Sequence, residues 1–291
     1  MTSSVHLADQ AAEAAEDAAT RARVDVRELG DVQALSDTDE LFRTIWGPTD
    51  RNLVGVAILR ALAHSGNYVV GAHDGSRLVG ALVGFMGRHD GDLQLHSHIL
   101  GVHPDLRDRS VGFALKEHQR AWSLARGITT VAWTFDPLVR RNAYFNLTKL
   151  GAGITRYYTN FYGDLNDDIN AHEESDRVLI EWQLDSEPAI AASTLALAAP
   201  DIESLTGDGA VEALAVTDDG VPVINDASSD TLLVGIPQDV VALRRSDAEL
   251  ATRWRHAVRD VLGDALEDGY VTAGMTRSGY YVVKRTPVRS S

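Results

Sequence analysis

The sequence predicts an α+β fold (α/β in the broad sense): a mixed, mostly antiparallel central sheet flanked by helices, with a smaller C-terminal α+β extension. Three observations predict it. Two turn signals, Asp74-Gly75 and His89-Asp-Gly-Asp92, join three consecutive apolar strand patterns. The stretch Leu100 to Lys116 reads as a strand, a polar turn and the start of a helix. A segment dominated by Ala and Ser and bounded by prolines then separates this half from a further helix and hairpin.

Taken in order, residues 1–23 are rich in Ala, Glu and Asp and lack a large apolar stripe, which predicts a solvated helix or a disordered arm. Val24 to Leu29 reads as a short strand. Leu35, Leu41, Phe42, Ile45 and Trp46 line one side of a helix that Gly47-Pro48 ends, and Asn52 to Ala63 holds a second helical pattern ending near Gly66. Tyr68 to Ala72, Leu78 to Phe85 and Leu93 to Val102 are the three strands, and Pro104 stops the last by withdrawing a backbone donor. Val111, Leu115, His118, Trp122 and Ala125 then fall at helical spacing, Gly127 caps that helix, and Ile128 to Phe135 reads as a buried strand. Asp136-Pro137 closes the strand, Leu138 to Leu150 is a helix ended by Gly151, Ile154 to Tyr162 alternates, and Val178 to Leu184 is a further strand.

By composition, residues 186–205 are a linker between a domain over 24–185 and an extension over 206–291. The extension shows strand patterns at Val221 to Ile224 and Thr231 to Ile236. Ser246-x-x-Glu249 is a capping box for a helix striped by Leu250, Trp254, Val258, Val261, Leu262 and Leu266. Tyr270 to Ala273 and Tyr280 to Val283 form a last hairpin about Ser278-Gly279. The striped helix suits either a cover for the preceding sheet or a homodimer contact.

The 291 residues suffice for a sizeable core, and 44% hydrophobic and 24% charged content is ordinary for a globular chain. With no cysteine, disulfides, thiolate metal sites and a cysteine nucleophile are excluded. A net charge of −15 disfavours nucleic acid and anionic membrane as partners. No run is long and apolar enough to span a bilayer and no secretory signal pattern opens the chain, so a cytoplasmic location is expected.

The polar turn carries the chemistry. A helix start has unpaired N–H groups and the positive end of the dipole, and Gly112 has no side chain to keep an anion away. Arg107 and Arg109 add positive charge at the same place. Binding of a pyrophosphate is the chemistry this suggests. The stretch resembles motif A of the GNAT superfamily of N-acyltransferases, in which a Val-x-Pro strand end precedes Arg/Gln-x-x-Gly-x-Gly/Ala and a helix. The resemblance implies that Arg109, Ser110, Val111, Gly112, Phe113 and Ala114 hold the pyrophosphate of acetyl-CoA or another acyl-CoA by backbone contact, with Arg107 nearby. It implies too that the strand end Leu100, Gly101 and Val102 supplies backbone contacts beside the reacting thioester. Asn142-Ala-Tyr-Phe-Asn-Leu-Thr-Lys-Leu-Gly151 looks like the family's second coenzyme-contacting helix, with Asn142 and Asn146 as candidates for pantetheine contacts or local caps. Here the chain departs from the pattern: many members carry a tyrosine four residues before that glycine, and this chain has Leu147, with Tyr144 one turn earlier. Ser97-His-Ile-Leu-Gly-Val102, Trp133-Thr-Phe-Asp-Pro137 and the long tail resemble a subgroup of predicted acetyltransferases with a C-terminal extension, some of which accompany N-acylamino acid racemases.

Attack on a thioester needs a neutral amine, yet α-amino groups have a pKa of roughly 8 and lysine-like amines above 10. A base must take the proton, and a thiolate departs. His98 is the first candidate base; His96, two residues earlier on the same strand face, is the second, and both also fit a sheet-face histidine satisfied by the backbone. Asp136 is the other candidate, with turn and cap formation as its structural alternative. Tyr144 is the candidate acid. Arg140 and Arg141 suit an acceptor carboxylate or the coenzyme phosphate as well as plain solvation, and Tyr157, Tyr158, Phe161 and Tyr162 suit a pocket wall or a strand face. Paired His96 and His98 lack a third ligand nearby, and no metal is expected. The resulting expectation is direct transfer of an acetyl or succinyl group from acyl-CoA to the amine of a small molecule, an amino acid being the class the resemblance implies. The alternative is a non-catalytic acyl-CoA-binding sensor or interaction module.

Overall fold

The computed structural model describes residues 2–47, 54–89, 91–163 and 174–286. The chain forms two compact units, Met1–Trp133 with Gln183–Thr194 and Thr134–Trp182 with Leu195–Ser291.

The first unit opens with α1 (Thr2–Ala22), which buries Ala11, Ala15, Ala18 and Ala22. These alanines recur at helical spacing and give a seam narrow enough for α1 to lie close against α4 (Val111–Leu124). The N-terminal arm expected to be solvated or disordered is therefore a packed helix; alanine gives a weak apolar signal but permits close approach. Next come β1 (Asp25–Glu28), α2 (Val32–Trp46) and α3 (Val56–His64). Asp31 caps α2, its carboxylate accepting from the Ala34 N–H at 2.9 Å. Pro48 and Asn52 of the expected helix boundaries, and Asp90 of the second turn, lie outside the described residues.

β2 (Tyr68–Asp74), β3 (Arg77–His89) and β4 (Asp92–Val102) follow β1 in an antiparallel meander, and β5 (Thr130–Phe135) pairs with β4 in parallel after the α4 crossover. One sheet face packs on α2 and α3 through Leu35, Leu41, Phe42, Leu59, Val69 and Val83. α4 covers the other so closely that a Cβ on Gly80 would lie 3.0 Å from Val111. The sequence-predicted sheet, mixed and mostly antiparallel, is thus present.

In the second unit α5 (Arg140–Tyr144) runs into a π-helical turn, Phe145–Lys149, before β6 (Gly153–Tyr158) and the antiparallel β7 (Arg177–Gln183). The strand expected to reach Tyr162 stops at Tyr158, because Asn160 turns the chain at φ 47°. The Ala-rich stretch expected as linker forms α6 (Glu187–Ser193) in the first unit, with Ala189 and Ala192 buried. The second unit resumes with α7 (Ile202–Gly207), β8 (Val211–Val216), β9 (Pro222–Ile224), β10 (Thr231–Gly235), α8 (Val240–Ser246) and α9 (Ala248–Val258). A π turn, Arg259–Gly263, leads to α10 (Asp264–Glu267), β11 (Tyr270–Met275) and β12 (Tyr280–Arg285).

Its five-stranded sheet has the order β11-β12-β10-β8-β9, with β10 and β8 parallel. β8 escaped the sequence reading because its alanines blur the alternation. The expected capping box is also displaced: Ser246 ends α8, and Asp247 caps α9 by accepting from the Leu250 N–H at 2.9 Å. Residues of the extension are tied to the π turn, to β6 and to Pro137 ahead of α5. Thr148 Oγ1 donates to the Met275 carbonyl (2.8 Å) and accepts from the Met275 N–H (3.0 Å), Thr272 Oγ1 accepts from the Ile154 N–H (2.9 Å), and the buried Tyr281 hydroxyl donates to the Pro137 carbonyl (2.6 Å).

Candidate functional site

The exit of β4 is where the first unit opens. β4 and β5 share a ladder over two pairs, Leu95–Val131 and His96–Ala132, whereas β3 follows β4 to Val102. Past His96 the β5-facing edge of β4 therefore has no ladder partner among the described residues. The His103 N–H donates to the Val79 carbonyl (2.8 Å), and alternate residues of an antiparallel strand face the same partner. Gly101 accordingly directs its backbone to β3, while Leu100 and Val102 present N–H and C=O to the opened side. Gly101 does something else: an added Cβ would lie 2.7 Å from Ile45 and 2.8 Å from Trp46, so its bare Cα admits the end of α2. Of the three strand-end residues expected to contact the thioester, the register favours Leu100 and Val102.

The register of β4 also slips by one residue, Val83 and Gly84 facing Ile99 and Ser97. His98 is the extra residue of this bulge, which bends the strand where the ladder with β5 ends. The chain then runs through a 3₁₀ turn, Pro104–Arg109, and Ser110 at φ 59° launches α4. The Phe113 and Ala114 N–H groups both donate to the Ser110 carbonyl, so the donors ahead of the first helical bonds are those of Val111 and Gly112. A Cβ on Gly112 would make ordinary contacts, 3.6 Å to Leu100 and 3.8 Å to Val102. Glycine at this position leaves space free rather than relieving a clash. Val111 and Ala114 are fully buried and Phe113 nearly so, Gly112 is partly exposed, and Ser110 and Arg107 are exposed.

Arg109 corrects one expectation. Its guanidinium donates to Asp74 (2.6 Å) and to the Ala22 and Arg23 carbonyls (3.1 and 2.9 Å), so its charge is neutralised beside the end of α1. Fixed positive charge at the turn falls to Arg107 and the helix dipole.

His96, His98 and Phe85 form one aromatic group, with ring centroids 4.9 Å apart for Phe85–His96, 6.0 Å for Phe85–His98 and 6.2 Å for the two histidines. Burial lowers His96 to about 4, helped by the charges of His98 and Lys116. His98 is also lowered by desolvation. Both rings are neutral near pH 7, the state a base requires. From the opposite face of β4, the buried Lys116 ammonium donates to Ser97 Oγ (2.9 Å) and Gln119 Oε1 (3.1 Å) and lies 3.6 Å over the Trp133 ring, its pKa pushed well down by burial. Sequence periodicity marked α4 but gave no sign of this lysine. Among the described residues no group of three or more His, Asp or Glu is arranged to hold a metal.

The remaining candidates belong to the second unit. Asp136 is committed: one carboxylate oxygen accepts from the Leu138 N–H (2.9 Å) and the other from Arg244 (2.6 Å). Its turn-forming alternative describes it, and the base expectation is withdrawn. Tyr144 lines a cleft together with Thr148 and Arg277, while Leu147 is a buried core residue. Asn146 is buried and Asn142 half-buried on α5 and its π turn. Arg140 donates to the Arg277 carbonyl, and Arg141 is exposed. Of the aromatic residues, Tyr157 donates to Asp176 (2.9 Å), Tyr158 packs at a tilt on Phe161 (centroids 5.2 Å apart), and Phe161 meets Tyr162 edge to face (4.9 Å).

The element order of strand, two helices, three antiparallel strands, helix, parallel strand, helix and strand pair is the order read from the sequence. The chain thus has a mixed, mostly antiparallel α+β order of elements. Solved structures resembling it include the ribosomal-protein-S18-alanine N-acetyltransferase from Escherichia coli, at 12% identity and TM-score 0.45 over 56% of this chain and 95% of that one. An IAA acetyltransferase from Bacillus cereus shows 13% identity and TM-score 0.43 over 55% and 99%. Arabidopsis thaliana Naa50, in complex with a bisubstrate analogue, shows 18% and 0.41 over 55% and 97%. No protein-family model and no curated protein sequence matches the chain.

Proposed function

We propose that the protein is an acyl-coenzyme A-dependent N-acyltransferase that moves an acetyl or succinyl group to the amine of a small molecule, with an amino acid as the favoured acceptor class. The observation that carries this reading is the β4 edge without a ladder partner leading into a helix start at the partly exposed Gly112, ahead of the first helical hydrogen bonds. An open strand edge suits a ligand with alternating amide donors and acceptors, such as the pantetheine arm, and the helix start suits its pyrophosphate. Leu100 and Val102 would hold the arm, while Val111, Gly112 and the dipole would take the phosphates, with Arg107 beside them.

His98 is the proposed base. It sits at the bulge beside that edge, half-exposed and neutral, so it can accept the proton of an incoming ammonium directly or through water. The neutral amine then attacks the thioester carbon, the C–N bond forms as the C–S bond breaks, and the thiolate departs. The open N–H groups of β4 suit the oxyanion formed on the way. Leu147, which brings no hydroxyl to its position, is what favours the sensor reading.

Calorimetric titration with acetyl-CoA and succinyl-CoA, followed by a thiol-release assay over an amino acid panel, tests both readings. Binding with release supports the acyltransferase and identifies its donor. Binding without release on any amine supports the sensor, and absence of binding overturns the site.

A further inference from the structure

A cleft of about 610 Å³ opens in the second unit between the Tyr144–Lys149 segment, the Arg277-Ser278 turn that joins β11 to β12, and the run from Leu195 to Ile202. We propose that it is a binding site for a small amphipathic anion, a molecule with a carboxylate or phosphate head and an apolar body. The site stands independently of the transfer chemistry.

Charge is the first argument. The chain carries a net charge of −15, yet among the described residues the cleft is lined by two cations, Lys149 and Arg277, and one acid, Asp201. That acid is occupied, since its carboxylate caps α7 by accepting from the Ser204 N–H at 2.9 Å. An excess of cation in an acidic protein marks a place where an anion is favoured, and the Tyr144 and Ser278 hydroxyls add donors to its rim.

The second argument is construction. The floor is held by the paired hydrogen bonds of Thr148 with Met275 and by Thr276, 1% exposed, whose hydroxyl accepts from the Tyr280 N–H at 3.0 Å. Gly274, at φ 132°, lets the opposite wall close down: a Cβ there would lie 2.8 Å from Pro200. Leu195 is held at φ 60°, a conformation that costs a leucine free energy, and it leaves its side chain 54% exposed at the cleft. Leu197 and Pro200 line the same cleft and add apolar surface to it. The volume lies within the roughly 300–1,000 Å³ of small-molecule sites.

The test is calorimetric titration of the full chain with octanoate, octyl phosphate and the uncharged octanamide, repeated on a Lys149→Gln/Arg277→Gln double variant. Arg277 receives Arg140 through its backbone carbonyl, which the substitution retains. The expected result is that one or both anions bind at least about tenfold more tightly than octanamide, and that the double variant loses this preference without a change in melting temperature. The preferred head group distinguishes carboxylate from phosphate. Equal binding of all three compounds, unchanged anion affinity in the double variant, or displacement of octanoate by coenzyme A would overturn the assignment. Failure of the acyl-CoA titration in the proposed function leaves this result readable, because the probes contain no coenzyme.

Discussion

At the scale of the residue, Gly112 and His98 carry the argument. Gly112→Asp places a carboxylate where the pyrophosphate is proposed to sit, and the nearest side chains leave ordinary space for its Cβ. The expected outcome is loss of coenzyme binding by about a hundredfold or more in calorimetry, with the circular dichroism of the native fold retained. Normal affinity would mean that the site lies elsewhere. For His98, burial lowers the pKa, so the neutral base persists as pH falls through the ordinary histidine range of about 6.5 and is lost only below it. Turnover should accordingly be flat above about pH 7 and decline at lower pH. His98→Ala should reduce kcat roughly 10²–10⁴-fold while leaving coenzyme affinity within about twofold. A variant with full turnover would remove His98 as the base. Asp136→Asn tests the opposite expectation. Both carboxylate oxygens are engaged, by the Leu138 N–H and Arg244, so the substitution should cost about 1–3 kcal/mol in denaturant unfolding and leave the pH profile of turnover unmoved.

At the scale of the element, α4 serves both the proposed coenzyme site and the packing of α1. Its Glu117 is fully buried, has no hydrogen-bond partner for either oxygen among the described residues and stands 4.0 Å from Arg120. Burial raises its pKa to about 7, against the partial opposition of Arg120 and Arg21. The native state therefore keeps a proton that the unfolded chain has released above the ordinary glutamate value of 4.5. Stability from this group is present at acid pH and declines as pH rises toward about 7, by about 3 kcal/mol in all. Glu117→Gln should flatten that slope in urea titrations at several pH values and raise stability above neutrality. An unchanged slope would show that the carboxylate is solvated in the native protein.

At the scale of the molecule, the second unit joins residues 134–182 to residues 195–291. Thr148 is bonded to Met275, Ile154 to Thr272 and Tyr281 to Pro137, so β6, α5 and the C-terminal sheet complete one another. Truncation after residue 185 should consequently yield insoluble or partly unfolded protein, read by size-exclusion chromatography and circular dichroism. A soluble truncated chain with native melting behaviour would restore the view of the extension as a detachable module.

The residues themselves determined what depends on near neighbours. Asp74-Gly75, Pro104, Gly127 and Gly151 act through their own backbone preferences, and the apolar periods of α2, α4, α9 and the first three meander strands are local patterns. The strand–turn–helix around Gly112 was legible for the same reason. Only the tertiary structure decided what those elements meet. Arg109 found Asp74 across 35 positions and Asp136 found Arg244 across 108, so neither ionic commitment has a local signature. Gly101 was readable as a glycine, yet Trp46 of α2 decided what its missing side chain is for. The two-pair ladder of β4 with β5 and the alanine seam of α1 likewise exist only when distant segments come together. Sequence-local preference specifies elements and their ends; the partners of a side chain are set by close packing of the folded chain.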